Sequence, residues 1–199
     1  MFEPEVAKSD LRRYLMRARE ALVWKLEGLT EYEVRRPMVP TGTNLLGLVK
    51  HCAYTESEYL GMVFGRPFPQ PNPVDEPGAE PNVDMWATAA ESRESIVDLY
   101  QEVWAHSEAT IEALDLDARG LVPWWPEDRR VTSLHTVLVT LIAETNRHAG
   151  HADILRELLD GSVGLNPAHG NLPDVGPDWW PQYVERLEAV ARHVGGLQA

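Results

Sequence analysis

The sequence predicts an all-α protein, an up-down-down-up four-helix bundle with a short helix at the carboxy end. Three observations predict it. Four long stretches carry apolar residues in steps of three and four, the period of a helix buried along one face. No stretch alternates apolar and polar residues as a half-buried strand does. The connection from Arg66 to Asn82 holds six prolines, which bars a helix there. A connection of that length lets the second and third helices run parallel.

The first helix is expected over about 9–29, with Leu11, Leu15, Ala18, Leu22, Leu26 and Leu29 on one stripe. The second spans about 41–64, opened by Thr41 or Thr43 as amino cap and stopped by Gly65 with Pro67 beyond it. Its apolar positions are Leu45, Leu48, Val49, Cys52, Tyr59 and Val63. The third, about 83–115, has the most regular seam, running from Val83 and Trp86 through Ala90, Arg93, Val97, Tyr100, Trp104, Ser107 and Ile111 to Leu114. The fourth covers about 133–160, begins after Thr132 or Ser133, and ends where Gly161 can take the left-handed cap conformation. At 1.5 Å per residue it is about 40 Å long, the full height of a bundle. Loop follows to Pro177, then a last short helix over about 179–194. The whole chain, 1–199, is expected to form one domain.

Composition narrows the function. A chain of this size buries enough core to fold without disulfides or metal, so a metal would serve chemistry before folding. The formal net charge is −13 and the pI about 4.9, with no basic stripe to neutralise phosphates. Nucleic acid and anionic membrane surfaces are therefore excluded as partners. The single cysteine, Cys52, excludes both a disulfide framework and a Cys-rich zinc knuckle. The amino end lacks the basic and apolar regions of a signal peptide, and no apolar run approaches the roughly 20 residues that span a bilayer. The chain reads as cytoplasmic.

The fourth helix carries the informative conflict. Its seam is Val137, Leu141, Glu144, His148, His151, Leu155 and Leu158, so three ionisable residues interrupt a stripe that is apolar at both ends. Burying them unpaired is costly, and a metal ion is one way to pair them. Glu144 and His148 stand four residues apart, which aims both from one helix face a turn apart. Two imidazoles and a carboxylate make a three-ligand site with a position left for water or substrate. His51, within the apolar part of the second helix, is the best candidate for the remaining ligand. The bland alternatives stand beside this reading. A Glu–His pair at this spacing is common on exposed helices, and His51 alone would also suit a satisfied core histidine.

The run Asn44-Leu45-Leu46-Gly47-Leu48-Val49-Lys50-His51, the run from Glu144 to Asp153 (ETNRHAGHAD) and Leu155-Arg156-Glu157 together resemble the DinB/YfiT-like superfamily. The resemblance covers nearly the whole chain and is nearest to the actinobacterial mycothiol-dependent S-transferase branch. It implies an up-down-down-up bundle, often a homodimer, with one divalent metal on His51, Glu144 and His148. It also implies a low-molecular-weight thiol cosubstrate (mycothiol, or bacillithiol in another lineage) joined to an electrophilic small molecule, in a detoxification role. The two-His, one-Glu ligand set is similar to that of mycothiol-dependent maleylpyruvate isomerase, which has a further carboxy-terminal domain. Zinc is the expected ion, with Ni2+, Mn2+ or Fe2+ as alternatives. His151 falls where relatives have Gln or His, which suggests a proton-handling role beside the site.

Other residues offer less. Arg93 on the third seam is a candidate for contacts near the site, or an arginine snorkelling at the bundle edge. Cys52 is turned about 100° from His51 and reads as a buried structural thiol. Trp124-Trp125 and Trp179-Trp180 fall in Pro-flanked loops and cap the core or line a cleft. Two other functions stay open: metal-assisted hydrolysis or isomerisation on the same scaffold, and a non-catalytic metal-binding stress protein with His151 as a fourth ligand.

Overall fold

A computed structural model describes residues 4–197. The chain is mostly helical, as expected: α1 (Pro4–Trp24), α2 (Glu31–Arg35), α3 (Leu45–Tyr59), α4 (Arg93–Ala113), α5 (Leu134–Asp160) and α6 (Trp179–Val194). α1 packs along α5, and α3 packs along both α4 and α5. No described helix is long and apolar enough to cross a membrane.

Local chemistry explains where the boundaries moved. α3 starts at Leu45 because Asn44, not Thr41 or Thr43, accepts the Gly47 amide proton at 2.8 Å. It stops at Tyr59, and a 3-10 turn, Met62–Phe64, leads to Gly65 at φ 67°, the expected stop. α2 was not expected. It is held by a capping box in which Thr30 and Glu33 satisfy each other's backbone.

The third pattern is shorter than the expected 83–115. Val83–Met85 forms a separate 3-10 turn, and α4 begins only after the Ser92 cap. Lys50 Nζ draws in the carbonyls of Val83 and Trp86 together with Glu91, so the segment folds against α3 and does not extend α4. α5 and α6 keep their expected spans, with Ser133 capping α5 and Gly161 closing it at φ 78°. Trp179 and Trp180 open α6 instead of lying in a loop.

An antiparallel hairpin, β1 (Arg119–Leu121) with β2 (Val131–Ser133), was also not expected. Three residues per strand leave too little alternation to read. Gly120 lets it lie against the Met62–Phe64 turn, since a Cβ there would stand 2.6 Å from a Val63 methyl carbon.

Two apolar clusters form the core. One joins α3, α4 and the end of α1 around Leu46, Val49, Tyr100 and Val103, with Cys52 as a buried free thiol. The other gathers Leu15, Leu60, Ile111, Val122 and Leu138. Arg19 and Glu56, both wholly buried, meet at 2.6 Å, and Arg19 also reaches Glu108 at 2.9 Å. The Lys25 ammonium pairs with Asp153, tying α1 to α5. α6 has no buried residue and leaves Val184, Leu187 and Val190 exposed.

Candidate metal centre

Two helices bring the donors together. His51 comes from α3, and Glu144 and His148 from successive turns of α5. Glu144 Oε1 lies 2.8 Å from His148 Nε2 and 3.7 Å from His51 Nε2. The two imidazoles meet edge to face, with centroids 4.8 Å apart. One donor atom from each of the three residues can be chosen so that all lie within 4.8 Å of one another. His148 is buried, whereas His51 and Glu144 are part-exposed and open the group on one side.

Asp84 completes the arrangement, and sequence reasoning missed it. Its Oδ2 accepts from His51 Nδ1 at 2.6 Å across 33 positions of sequence. The hydrogen bond with His51 holds the Asp84 carboxyl below its ordinary range, against the opposing effect of burial. An ionised Asp84 can only accept, so Nδ1 of His51 carries a proton, and Nε2 is the ring nitrogen turned toward Glu144. Asp84 owes its place to Gly47. The carbonyl of Met85, next in sequence, approaches so closely that a Cβ on Gly47 would stand 1.8 Å from it. No local pattern marks Asp84, one of several carboxylates in a proline-rich stretch.

Electrostatics suit a cation. Burial raises the Glu144 carboxyl, but the hydrogen bond from His148 and the nearby Arg147 guanidinium act against it, leaving the group lowered and ionised. Burial lowers the His148 imidazole more than its bond to Glu144 restores, which keeps it neutral near pH 7. Neutral imidazoles and an ionised carboxylate are the forms that ligate a divalent metal. His148 Nδ1, moreover, is buried without a partner among the described residues. A tetrahedral zinc site sets its nitrogen and oxygen donors roughly 3.3 Å apart. The residues present fit such an ion.

The remaining predicted residues lie elsewhere. His151 is exposed on α5, its ring 5.4 Å from His148, and it stands outside the donor group. The buried face of α5 turns through Thr145, Ala149 and Ala152, so the seam drawn through His151 and Leu158 drifts to the surface. Arg93 does not approach the donors. It pairs with Glu31 at 2.9 Å and with the carbonyl of Leu26, because its helix begins there and faces the end of α1.

Two cavities meet at His51. One, of about 470 Å³, is lined by His51, Glu144, Glu58, Asp75, Trp124 and Thr140, among others. The second, of about 480 Å³, lies on the Asp84 side and includes Thr41, Asn82 and Trp86. Tyr59 builds a wall of the first: its hydroxyl accepts from the indoles of Trp124 at 3.1 Å and Trp125 at 2.9 Å. Trp124 thus lines the cleft while Trp125 packs on the core. A larger cavity of about 680 Å³, near the starts of α1 and α5, contains none of the three donors.

A family model described as mycothiol-S-transferase matches residues 10–161, a span that includes all three donors and Asp84 and ends before α6. No curated protein matches the chain. The family match, over well more than half of the chain, establishes that the chain belongs to the DinB-like mycothiol-S-transferase family.

Proposed function

We propose that this chain is a metal-dependent transferase joining a low-molecular-weight thiol to an electrophilic small molecule, in the cytoplasm and in a detoxifying role. The observation that carries the proposal is the donor group of His51, Glu144 and His148, open to a cleft, in a chain of this family. We further propose that residues 1–199 act as one domain in an up-down-down-up bundle and as a homodimer. The bundle is supported by pairings along the helices. Lys8 reaches the Leu114 carbonyl while Arg93 reaches that of Leu26, so α1 and α4 oppose each other.

His51, Glu144 and His148 would hold the ion, and zinc suits two imidazoles with one carboxylate. Such an ion, when bound, deprotonates a coordinating thiol and keeps it as thiolate at neutral pH. The chain's own residues do the rest. Asp84 holds His51 in one tautomer and orientation. Trp124 and Tyr59 give the cleft an apolar wall that shields a reactant from water. The cavities on either side of His51 offer room for two reactants, as transfer between two molecules requires.

The test is direct. Wild-type protein loaded with zinc, nickel or manganese is assayed for conjugation of mycothiol and of bacillithiol to a reactive electrophile, beside His148→Ala. Metal retention and a product with a new C–S bond are expected from wild type, and loss of both from the variant. Equal metal content in the two proteins would refute the donor group. A product of net water addition would replace transfer with hydrolysis.

A further inference from the structure

α6 stands apart from the rest of the chain. It packs lengthwise on no other element among the described residues, and none of its side chains is buried. It is amphipathic all the same. Trp180, Tyr183, Val184, Leu187, Val190 and Val194 share one face at helical spacing, with Leu187 51% and Val194 80% exposed. A helix of this length is marginal in water by itself, so its apolar face calls for a surface to cover it.

The outer face of α5 is uncovered too. Opposite the buried side, Val139, Ala143, Gly150, Ile154 and Leu158 form a stripe, with Ile154 60% and Leu158 68% exposed. Gly150 is the informative member. Glycine inside a helix costs about 0.5–1 kcal/mol against alanine. Close approaches within the chain require Gly47 and Gly120, but a Cβ on Gly150 would meet nothing within 4 Å. The missing Cβ opens a notch that nothing in its own chain fills.

The two faces complement each other. With α6 laid antiparallel and Leu187 over Gly150, helix geometry sets Val184 against Ile154, Trp180 against Leu158 and Val194 against Ala143. The flanks agree in charge. Arg147 borders the α5 stripe on the side of α3, and Asp153, paired with Lys25, borders it on the side of α1. In this register Glu188 falls beside Arg147 and Arg186 beside Asp153, whereas a parallel arrangement would set like charges together. The chain's own α6 is not directed there. After α5 the chain is pinned across α1, where the Lys25 ammonium donates to the Gly164 carbonyl and residues 165–169 line a cavity with Arg17 and Trp24.

We propose that α6 is an exchanged arm: in a homodimer, the α6 of each copy lies antiparallel on the outer α5 face of the other. The proposal rests on the homodimer reading above and adds the surface that forms it. α6 follows the span that the family model covers, so the arm is a property of this chain beyond that match. Two such helix contacts related by a dyad bury roughly 1,500–2,000 Å², the size of a specific interface, where a single α6–α6 contact would bury about half.

The full-length Gly150→Cys/Leu187→Cys variant, mildly oxidised, tests the contact, because a disulfide needs Cβ atoms within about 4.5 Å. Cys52 is buried and does not compete. The double variant is expected to give a covalent dimer and each single variant none. A disulfide within one chain overturns the exchange in favour of docking in cis, and a dimer linked through Leu187→Cys alone overturns it in favour of α6–α6 pairing. Sedimentation of wild type beside Leu187→Glu supplies the second readout. Wild type is expected to be dimeric, and the variant's dimer dissociation constant should rise tenfold or more. Helicity and metal content should stay unchanged, since Leu187 is not buried within its own chain. A wild-type dimer that neither cross-links nor responds to Leu187→Glu keeps the homodimer and overturns the arm. A wild type that stays monomeric overturns both.

Discussion

Replacing Asp84 by alanine removes the acceptor of the His51 proton and touches none of the three donors. The interaction lost is a 2.6 Å hydrogen bond to an ionised carboxylate that is itself buried, so solvent cannot fully replace it. Without it, His51 is free to change tautomer and rotate, and the imidazole becomes a poorer base. Outer partners of this type are worth about 10–100-fold in metal affinity, or roughly 1.4–2.7 kcal/mol. Asp84→Ala should fall at the upper end. Asp84→Asn keeps an acceptor oxygen but loses the charge that roughly doubles such a bond, and should cost nearer tenfold. Competition with a chelator of known affinity measures both, with thermal melting of the metal-free proteins as the check on folding. If Asp84→Ala binds zinc as tightly as wild type while melting normally, the orienting role is refuted.

Gly47→Ala should destabilise the chain by about 1–3 kcal/mol, because its Cβ would stand 1.8 Å from the backbone oxygen of Met85. Metal affinity should fall with it, since the Asp84 turn must move; normal melting with normal affinity would show the contact to be unimportant. Glu56→Gln leaves the wholly buried Arg19 half-paired and should cost about 3–5 kcal/mol in urea unfolding, a shift below 0.5 kcal/mol being incompatible with the pair. Asp160, bonded by Arg156, has its pKa lowered to about 2. Its contribution to stability is thus fully present above the ordinary carboxylate range and is lost as pH falls towards 2. Arg156→Met should flatten that part of the acid-denaturation curve, and an unchanged curve would contradict the assignment.

The legibility of the site followed the reach of each interaction. Glu144 and His148 are one helical turn apart, so spacing alone placed them together, and the polar break in an apolar stripe marked them as special. His51 has no such local signature and needed the likeness of a long motif. Asp84 had neither, because its meaning depends on a contact 33 positions away, made possible by a missing Cβ on another helix. The place of Arg93 beside Glu31 and the shortened third helix share a cause. Periodicity continued through Val83–Ala90, but Lys50 and the Ser92 cap claimed those backbone groups for a different geometry.

The sequence by itself determined the helical class, the carboxy-terminal boundaries and two of the three donors, because helix periodicity, caps and an i,i+4 pair are written within a few residues of one another. The tertiary structure alone decided which α5 residues face inward, what orients His51 and which charges line the cleft. Those properties arise where α3, α5 and the proline-rich connection meet, and a pattern confined to one segment cannot express a distance between two.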